Sequence, residues 1–366
     1  MKYIYEQREW PKLHWDQQRL ATRLAEVRHR QGRLLGRMEA LGFPLKNEAM
    51  LETLTLDVLK SSEIEGEKLD SSQVRSSIAR RLGMDIGGAP PADRHTEGVV
   101  EMMLDATQNF AHPLTVERLW GWHAAMFPTG RSGMHAIVVG AWRGDSKGPM
   151  QVVSGPVGRE KVHFQAPRAD RLAGEMRTFI DWANANDGVD WVLRAALVHL
   201  WFVTIHPFDD GNGRIARAIA DWALARSENG SQRFYSMSAQ IRLERKAYYN
   251  ILERTQKGGL DITEWMAWFL DCLDRAISAT ENTLADVFHK ARFWEKAAGK
   301  NINERQRLML TKLLEGFEGK LTSSKWAKLT KSSQDTAHRD IQGLIDQGLL
   351  VKDSGGGRST SYSLIP

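Results

Sequence analysis

"VLRAALVHLWFVTIHPFDDGNGRIARAIADWALAR", residues Val192 to Arg226, sets two apolar helical runs on either side of a crowded polar loop. The first run is apolar at nearly every position, so as a helix it has no solvated face and is buried all round. Pro207 disfavours helical geometry at the residue before it and sets the helix end near His206. Helical spacing resumes after Gly213. "DGNG" therefore lies at a helix N-terminus, where the leading backbone N–H groups have no intrahelical acceptor. A buried helix, a polar loop and a second helix predict a mainly α fold.

The chain has 366 residues, 42% hydrophobic and 26% charged, with a formal net charge of +5. That length exceeds one domain of ~100–150 residues, and the composition is that of a soluble globular protein. No stretch approaches the roughly 20 apolar residues of a membrane span. "MKYIYEQREW" is too charged for a secretory signal, so the cytoplasm is the expected compartment. A single cysteine, Cys272 in "WFLDCLDRA", excludes an intramolecular disulfide and a cysteine-based metal cage, and is expected to be buried. The basic excess gathers towards the C-terminus, with eleven Lys/Arg against seven Asp/Glu from Lys300 to Arg358.

Outward from the central stretch, "RLATRLAEVRHRQGRLLGRMEAL" has the spacing of an amphipathic helix through Leu20, Leu24, Val27, Leu34 and Leu35. Gly87, Gly88, Pro90 and Pro91 mark a linker near residue 90. "GAWRGDSKGPMQVVSGPVGREKVHFQAP" holds two β-prone runs and predicts a hairpin inside a helical domain. After about residue 300, Asn303 can cap one helix, two more follow, and two strands flank the turn Gly355 to Gly357. That is the order of a winged helix. The expected domains are 1–90, 91–292 and 300–366.

The polar loop carries the chemistry. Gly211 and Gly213 let the backbone form a concave nest of amides around a phosphate, and the helix dipole adds positive charge. Arg214 and Arg217 lie on neighbouring positions of that helix and offer planar donor forks to further phosphates. A carboxylate beside such a nest repels phosphate unless a divalent cation intervenes, so Asp210 reads as a Mg²⁺ ligand. His206, with an ordinary pKa of about 6.5, can take a proton from an incoming hydroxyl. Phe208 reads as a core anchor. The set suits phosphoryl or nucleotidyl transfer.

"HPFDDGNGRIAR", His206 to Arg217, resembles the signature of the Fic family at every fixed position. The resemblance implies a Fic-type helical core with a β-hairpin flap, and an adenylyltransferase that moves AMP from ATP to a protein Ser, Thr or Tyr hydroxyl. On that basis His206 is the general base and Asp210 the Mg²⁺ ligand. Asn212 with the Gly211 and Gly213 amides cradles the α-phosphate, and Arg214 and Arg217 contact the β- and γ-phosphates. Asp209 fills the variable position and contributes through its backbone. "VHFQAP", with Val162, His163 and Phe164, resembles the flap strand whose edge pairs with the target segment. "GAWR", Gly140 to Arg143, is similar to the family's Gly-x-Tyr-Arg. "KAYYNILERTQKGG" resembles the segment that holds adenine, through Tyr249 and Gln256; Tyr248 and Tyr249 also fit core positions.

Upstream, Ser61, Glu65 and Gly66 in "SSEIEG" resemble the inhibitory motif of Fic proteins that carry it N-terminally. A carboxylate on Arg217 would satisfy that guanidinium and repel the γ-phosphate. The same residues also suit a solvated helix face with a glycine stop, and a third role for Glu65 is to position water that removes AMP from modified targets. In the C-terminal segment, Gln334, His338, Arg339 and Arg358 could meet DNA, with Asp335 and Asp340 opposing; such modules also dock proteins. The competing class is a DNA-binding regulator with an idle catalytic domain. The expected partners are ATP, a hydroxyl-bearing protein and, through the tail, DNA, with no membrane.

Overall fold

A computed structural model describes residues 3–84, 90–146, 148–156, 159–314, 316–317, 319–353 and 360–365. Gly87 and Gly88 of the expected linker, the turn Gly355 to Gly357 and Arg358 lie outside the described residues. The chain divides into two units, Met1–Leu284 and Ala285–Pro366.

The first unit is mainly helical. Its helices run α1 (Gln17–Glu39), α2 (Phe43–Ile64), α3 (Ser71–Arg81), α4 (Arg94–Gln108), α5 (Val116–Met126), α6 (Leu172–Asn184), α7 (Trp191–Ile205), α8 (Asn212–Glu228), α9 (Met237–Leu243), α10 (Arg245–Gln256) and α11 (Thr263–Thr283). Capping side chains fix many of the starts. Asp16, Asp70, Asp93, Thr115, Asp190 and Ser236 each accept a backbone N–H from the first turn that follows. Helix α7 is the axis, and every residue from Val192 to Ile205 is buried. Helices α6, α8 and α11 pack on it, while α8 is also covered by α2, α4 and α5. Helix α1 shows the expected stripe, burying Leu20, Val27 and Leu34. Cys272 is buried in α11, and burial pushes its thiol pKa up.

Helix α2 is pinned from the side by a buried carboxylate. Asp57 Oδ1 accepts from Ser236 Oγ at 2.5 Å and from the Ser238 N–H at 3.2 Å, at the start of α9. Nearby, Arg233 pairs with Asp221 of α8, both fully enclosed. These bonds fix the register of α2 where non-directional apolar packing would tolerate sliding.

Two antiparallel hairpins interrupt the helices. The first, β1 (Arg131–Ser132) with β2 (His135–Ala136), was not anticipated, because "RSGMHA" is too short to show a period. The second, β3 (Gln151–Ser154) with β4 (Lys161–Gln165), occupies the predicted β-prone runs. Its register steps from Val152 opposite Phe164 to Val153 opposite Val162, so His163 is the extra residue of a β-bulge.

The second unit comprises α12 (Ala285–Ala297), α13 (Glu304–Leu314), α14 (Ser323–Thr330), α15 (Gln334–Asp346) and the antiparallel pair β5 (Leu350–Lys352) and β6 (Tyr362–Leu364). Trp326, Met309, Leu310, Ile341, Leu344 and Leu349 form its core. Asn303 caps α13 reciprocally with Gln306. Asp340, expected on α15 as an acid opposing DNA contact, is buried and receives Arg305 Nε at 2.8 Å and Asn303 Nδ2 at 2.9 Å.

Close approach of α4 to α5 depends on Gly98, where an added Cβ would lie 1.7 Å from the Ala125 carbonyl oxygen. Gly98→Ala should therefore destabilise the first unit by about 1–3 kcal/mol. A urea denaturation midpoint equal to that of the unaltered chain would contradict this packing.

Candidate active site

Helix α7 delivers His206 and then stops. The His206 N–H still closes on Phe202 O at 2.9 Å, but the residue turns left-handed, with φ of 52°, a conformation that costs a non-glycine residue energy. The turn is braced by Arg143, whose side chain is fully buried. Its Nε donates to His206 O at 2.8 Å, its Nη2 to Pro167 O at 2.6 Å, and its backbone N–H to Pro207 O at 2.9 Å. Nothing local to "GAWR" marks Arg143 for this role, because its partners lie far along the chain.

The His206 ring is held in one tautomer. Nδ1 lies 3.2 Å from Val203 O, and because a carbonyl only accepts, Nδ1 carries the proton and Nε2 keeps its lone pair. Burial, more than any neighbouring charge, lowers its pKa to about 4. The ring is therefore a neutral base at physiological pH.

The loop between α7 and α8 is tied mostly by main-chain bonds. Asn212 accepts from the Phe208 N–H at 3.0 Å and donates to Phe208 O at 2.8 Å. The Asn212 side-chain amide thus closes the loop, and its backbone N–H stays at the head of α8. Asp209 likewise uses its carboxylate, accepting from the Val138 N–H at 2.9 Å. His123, missed in the sequence, stacks on Phe208 with ring centres 4.2 Å apart. Its Nδ1 accepts from the Gly140 N–H, so its Nε2 donates to Asp210 O at 3.2 Å. Burial lowers its pKa to about 4. Gly211 turns with φ of 82°, and a Cβ there would lie 3.0 Å from both Met126 and Phe127.

The N-terminus of α8 gathers amides without intrahelical acceptors beside two buried arginines. The first intrahelical bond runs from Ile215 N–H to Gly211 O at 3.0 Å, so the amides of Asn212, Gly213 and Arg214 have no intrahelical acceptor. Arg214 and Arg217 are buried alongside. Arg214 Nε and Arg217 Nη1 are buried donors with no hydrogen-bond partner among the described residues, which suits a polyanionic ligand. Asp210 accepts from Ser132 Oγ and from the Gly211 N–H, and lies 3.9 Å from Arg214. No cluster of three or more His, Cys, Asp or Glu could hold a metal by itself among the described residues. One carboxylate beside a phosphate site does fit Mg²⁺, which commonly takes one or two carboxylates and completes its shell with phosphate and water.

The end of α2 closes on this site. Arg217 Nε donates to Ser61 Oγ at 2.9 Å and Nη2 to Ser61 O at 2.8 Å, while Glu65 Oε1 pairs with Nη2 at 2.8 Å. Glu65 Oε1 also lies 2.1 Å from where a Cβ on Gly213 would stand. Gly66, with φ of 86°, turns the chain away. The next residue, Glu67, absent from the sequence reading, sits on Arg214 at 2.6 Å.

The remaining expected positions separate. Tyr248 is buried, its hydroxyl 2.8 Å from His199 Nε2, whereas Tyr249 is partly exposed under the Arg245 guanidinium, 5.4 Å from the ring centre. Gln256 is buried, and its amide donates weakly to Val203 O and Thr204 Oγ1 at the end of α7. In the flap, Val162 is exposed and His163 is tied to Ser154 and Glu253, each at 2.6 Å. Phe164 is buried against Tyr3 and Tyr5, so its side chain anchors the strand. Among the described residues β4 pairs only with β3, leaving its other edge without a strand neighbour.

Residues 113–224 match the Fic/DOC family, and residues 3–84 match a domain of unknown function, DUF4172. The chain carries a Fic/DOC domain. A protein adenylyltransferase Fic from Drosophila willistoni is 26% identical over 225 residues, covering 60% of this chain and 40% of that one. A uridine 5'-monophosphate transferase from Xanthomonas campestris pv. campestris is 42% identical over 67 residues, 16% of this chain and 12% of that one. The chain thus spans less than half the length of these curated relatives. The crystal structure of a Fic family protein from Desulfovibrio desulfuricans G20 matches with a TM-score of 0.60 at 19% identity, over 94% of this chain and 95% of that one. The fold is that of Fic proteins. No described helix is long and apolar enough to cross a membrane.

A neutral His206 has a direct spectroscopic signature. Nitrogen NMR should show the Nδ1–H tautomer unchanged from pH 8 down to about 5, with protonation only below that. A titration midpoint near 6.5 would remove the buried-base assignment.

Proposed function

We propose that the chain is a protein adenylyltransferase, moving AMP from ATP to a Ser, Thr or Tyr hydroxyl of a protein and held off by Glu65. The reading rests on one observation: a neutral imidazole with a free Nε2 stands beside an anion-binding helix terminus whose arginines keep unpaired donors. A binding module with an idle catalytic domain has no use for that combination.

In this mechanism the amides of Asn212, Gly213 and Arg214 hold the α-phosphate, and Arg214 and Arg217 hold the rest of the triphosphate. Tyr249, close enough to Glu65 and Arg217 for their charges to act on its hydroxyl, lines the base side. The exposed edge of β4 takes the target segment in extended form, placing its hydroxyl at His206. His206 Nε2 removes the hydroxyl proton as the oxygen bonds to the α-phosphorus and pyrophosphate leaves. Asp210 would hold Mg²⁺, which when bound would supply charge neutralisation to the phosphates. Glu65 opposes all this by holding Arg217 and filling the space over Gly213.

Glu65→Gly should raise incorporation of labelled AMP into target or chain by tenfold or more; unchanged incorporation would sink the inhibitory role. His206→Ala should abolish transfer and retain nucleotide binding, so transfer near the starting rate would remove His206 as base. Release of AMP from a modified target by the unaltered chain, lost in Glu65→Gly, would favour the bifunctional reading.

The second unit reads as a winged-helix-type docking module. With Asp340 neutralised internally by Arg305, α15 exposes Gln334, His338 and Arg339 together with the acids Asp335 and Asp346. Gel-shift titration should show DNA affinity falling steeply with salt. No shift at low salt would leave protein docking as the role.

A further inference from the structure

The proposed triphosphate site holds a second carboxylate. Glu67 follows the Gly66 turn, and its N–H bonds back to Ser62 O at 3.1 Å, which fixes the turn against α2. Its Oε2 lies 2.6 Å from Arg214 Nη1, and its Oε1 lies 2.6 Å from His95 Nε2 in the first turn of α4. The other ring nitrogen, His95 Nδ1, lies 2.8 Å from Met126 O. The ring is thus flanked by the Met126 carbonyl on one side and the Glu67 carboxylate on the other. The Glu67 hydrogen bond raises the His95 pKa accordingly. Burial alone would raise the pKa of Glu67, but His95 and Arg214 outweigh it and hold the carboxyl below its ordinary range. The carboxylate is therefore ionised and held between the Arg214 guanidinium and the His95 ring. The Arg214 guanidinium is itself fixed, 5.2 Å above the Phe127 ring and 3.9 Å from Asp210.

Each arginine of the site thus carries its own acid, Glu65 on Arg217 and Glu67 on Arg214. The amides of Asn212, Gly213 and Arg214 carry neither as an intrahelical partner. A ligand with one phosphate can use those amides with the Arg214 carboxylate pair intact. A ligand with two or three phosphates shares each guanidinium it reaches with a carboxylate.

We infer that Glu67 is a specificity-determining residue of this site, screening Arg214 so that the folded chain discriminates against nucleotides with more than one phosphate. The inference rests on the nucleotide-site reading above. It also means that freeing Arg217 from Glu65 opens only half of the distal phosphate site.

Calorimetric titration of the full chain with AMP, ADP and ATP in the presence of Mg²⁺ tests this, using the unaltered protein, Glu67→Gln, Glu65→Gly and the double variant. Glu67→Gln should shift the ATP-to-AMP affinity ratio towards ATP by about tenfold or more, the scale of a charge-assisted hydrogen bond, and should add to the effect of Glu65→Gly. A ratio within twofold of the unaltered protein overturns the inference. Should Glu67→Gln fold poorly by circular dichroism, Glu67→Ala, which leaves Arg214 equally unscreened, decides by the same ratio. Labelled-AMP incorporation is read separately: silence in Glu65→Gly counts against the transfer reading while the ratio still decides on Glu67. If no variant binds any nucleotide, both fall.

Discussion

A guanidinium taken out of water must have an anion beside it, and Arg217, with its side chain 2% exposed, is such a group. Everything around it answers that demand. Helix α7 is buried all round and brings α8 against it, so Arg217 cannot turn to solvent. Helix α2 then supplies Ser61 and Glu65 from the far side. Removing one partner of a buried pair costs far more than the pair contributes, so Arg217 holds the end of α2 in place through Ser61 and Glu65.

The loop that presents the site is built to resist distortion rather than to bind. Asn212 closes on Phe208, His123 holds Asp210 O, Asp209 holds the Val138 amide and Arg143 holds His206 O. These bonds leave the short run of amides at the head of α8, the free Nε2 of His206 and the unpaired arginine donors as its chemically available groups. A strained left-handed histidine persists because so many contacts determine its position.

Much of this was legible in the sequence for local reasons. Pro207 sets the end of α7, Gly211 permits the left-handed turn, and the uniform apolar run announces a buried helix. The β3–β4 hairpin was visible because its runs are bounded by glycines. What escaped was decided by distant partners. Nothing local to Asn212 says that Phe208 uses both ends of its side-chain amide, and nothing local to Phe164 says that Tyr3 and Tyr5 cover its ring. Asp340 looks like an acid opposing DNA contact until Arg305 reaches it from another helix, and Glu67 has no meaning without His95 and Arg214. The β1–β2 hairpin is too brief for any period to show.

The missing side chain at Gly213 leaves a volume that Glu65 Oε1 fills. On the proposed reading that volume admits one anion at a time, and a tethered carboxylate would compete with a dissolved phosphate for it by concentration. The tethered group has the advantage of effective molarity, on the order of millimolar or more for a short link. Its value is set by how firmly Asp57 pins α2 to α9, two turns before Glu65. Anything that loosens that distant anchor dilutes the carboxylate without altering a single atom at the catalytic loop.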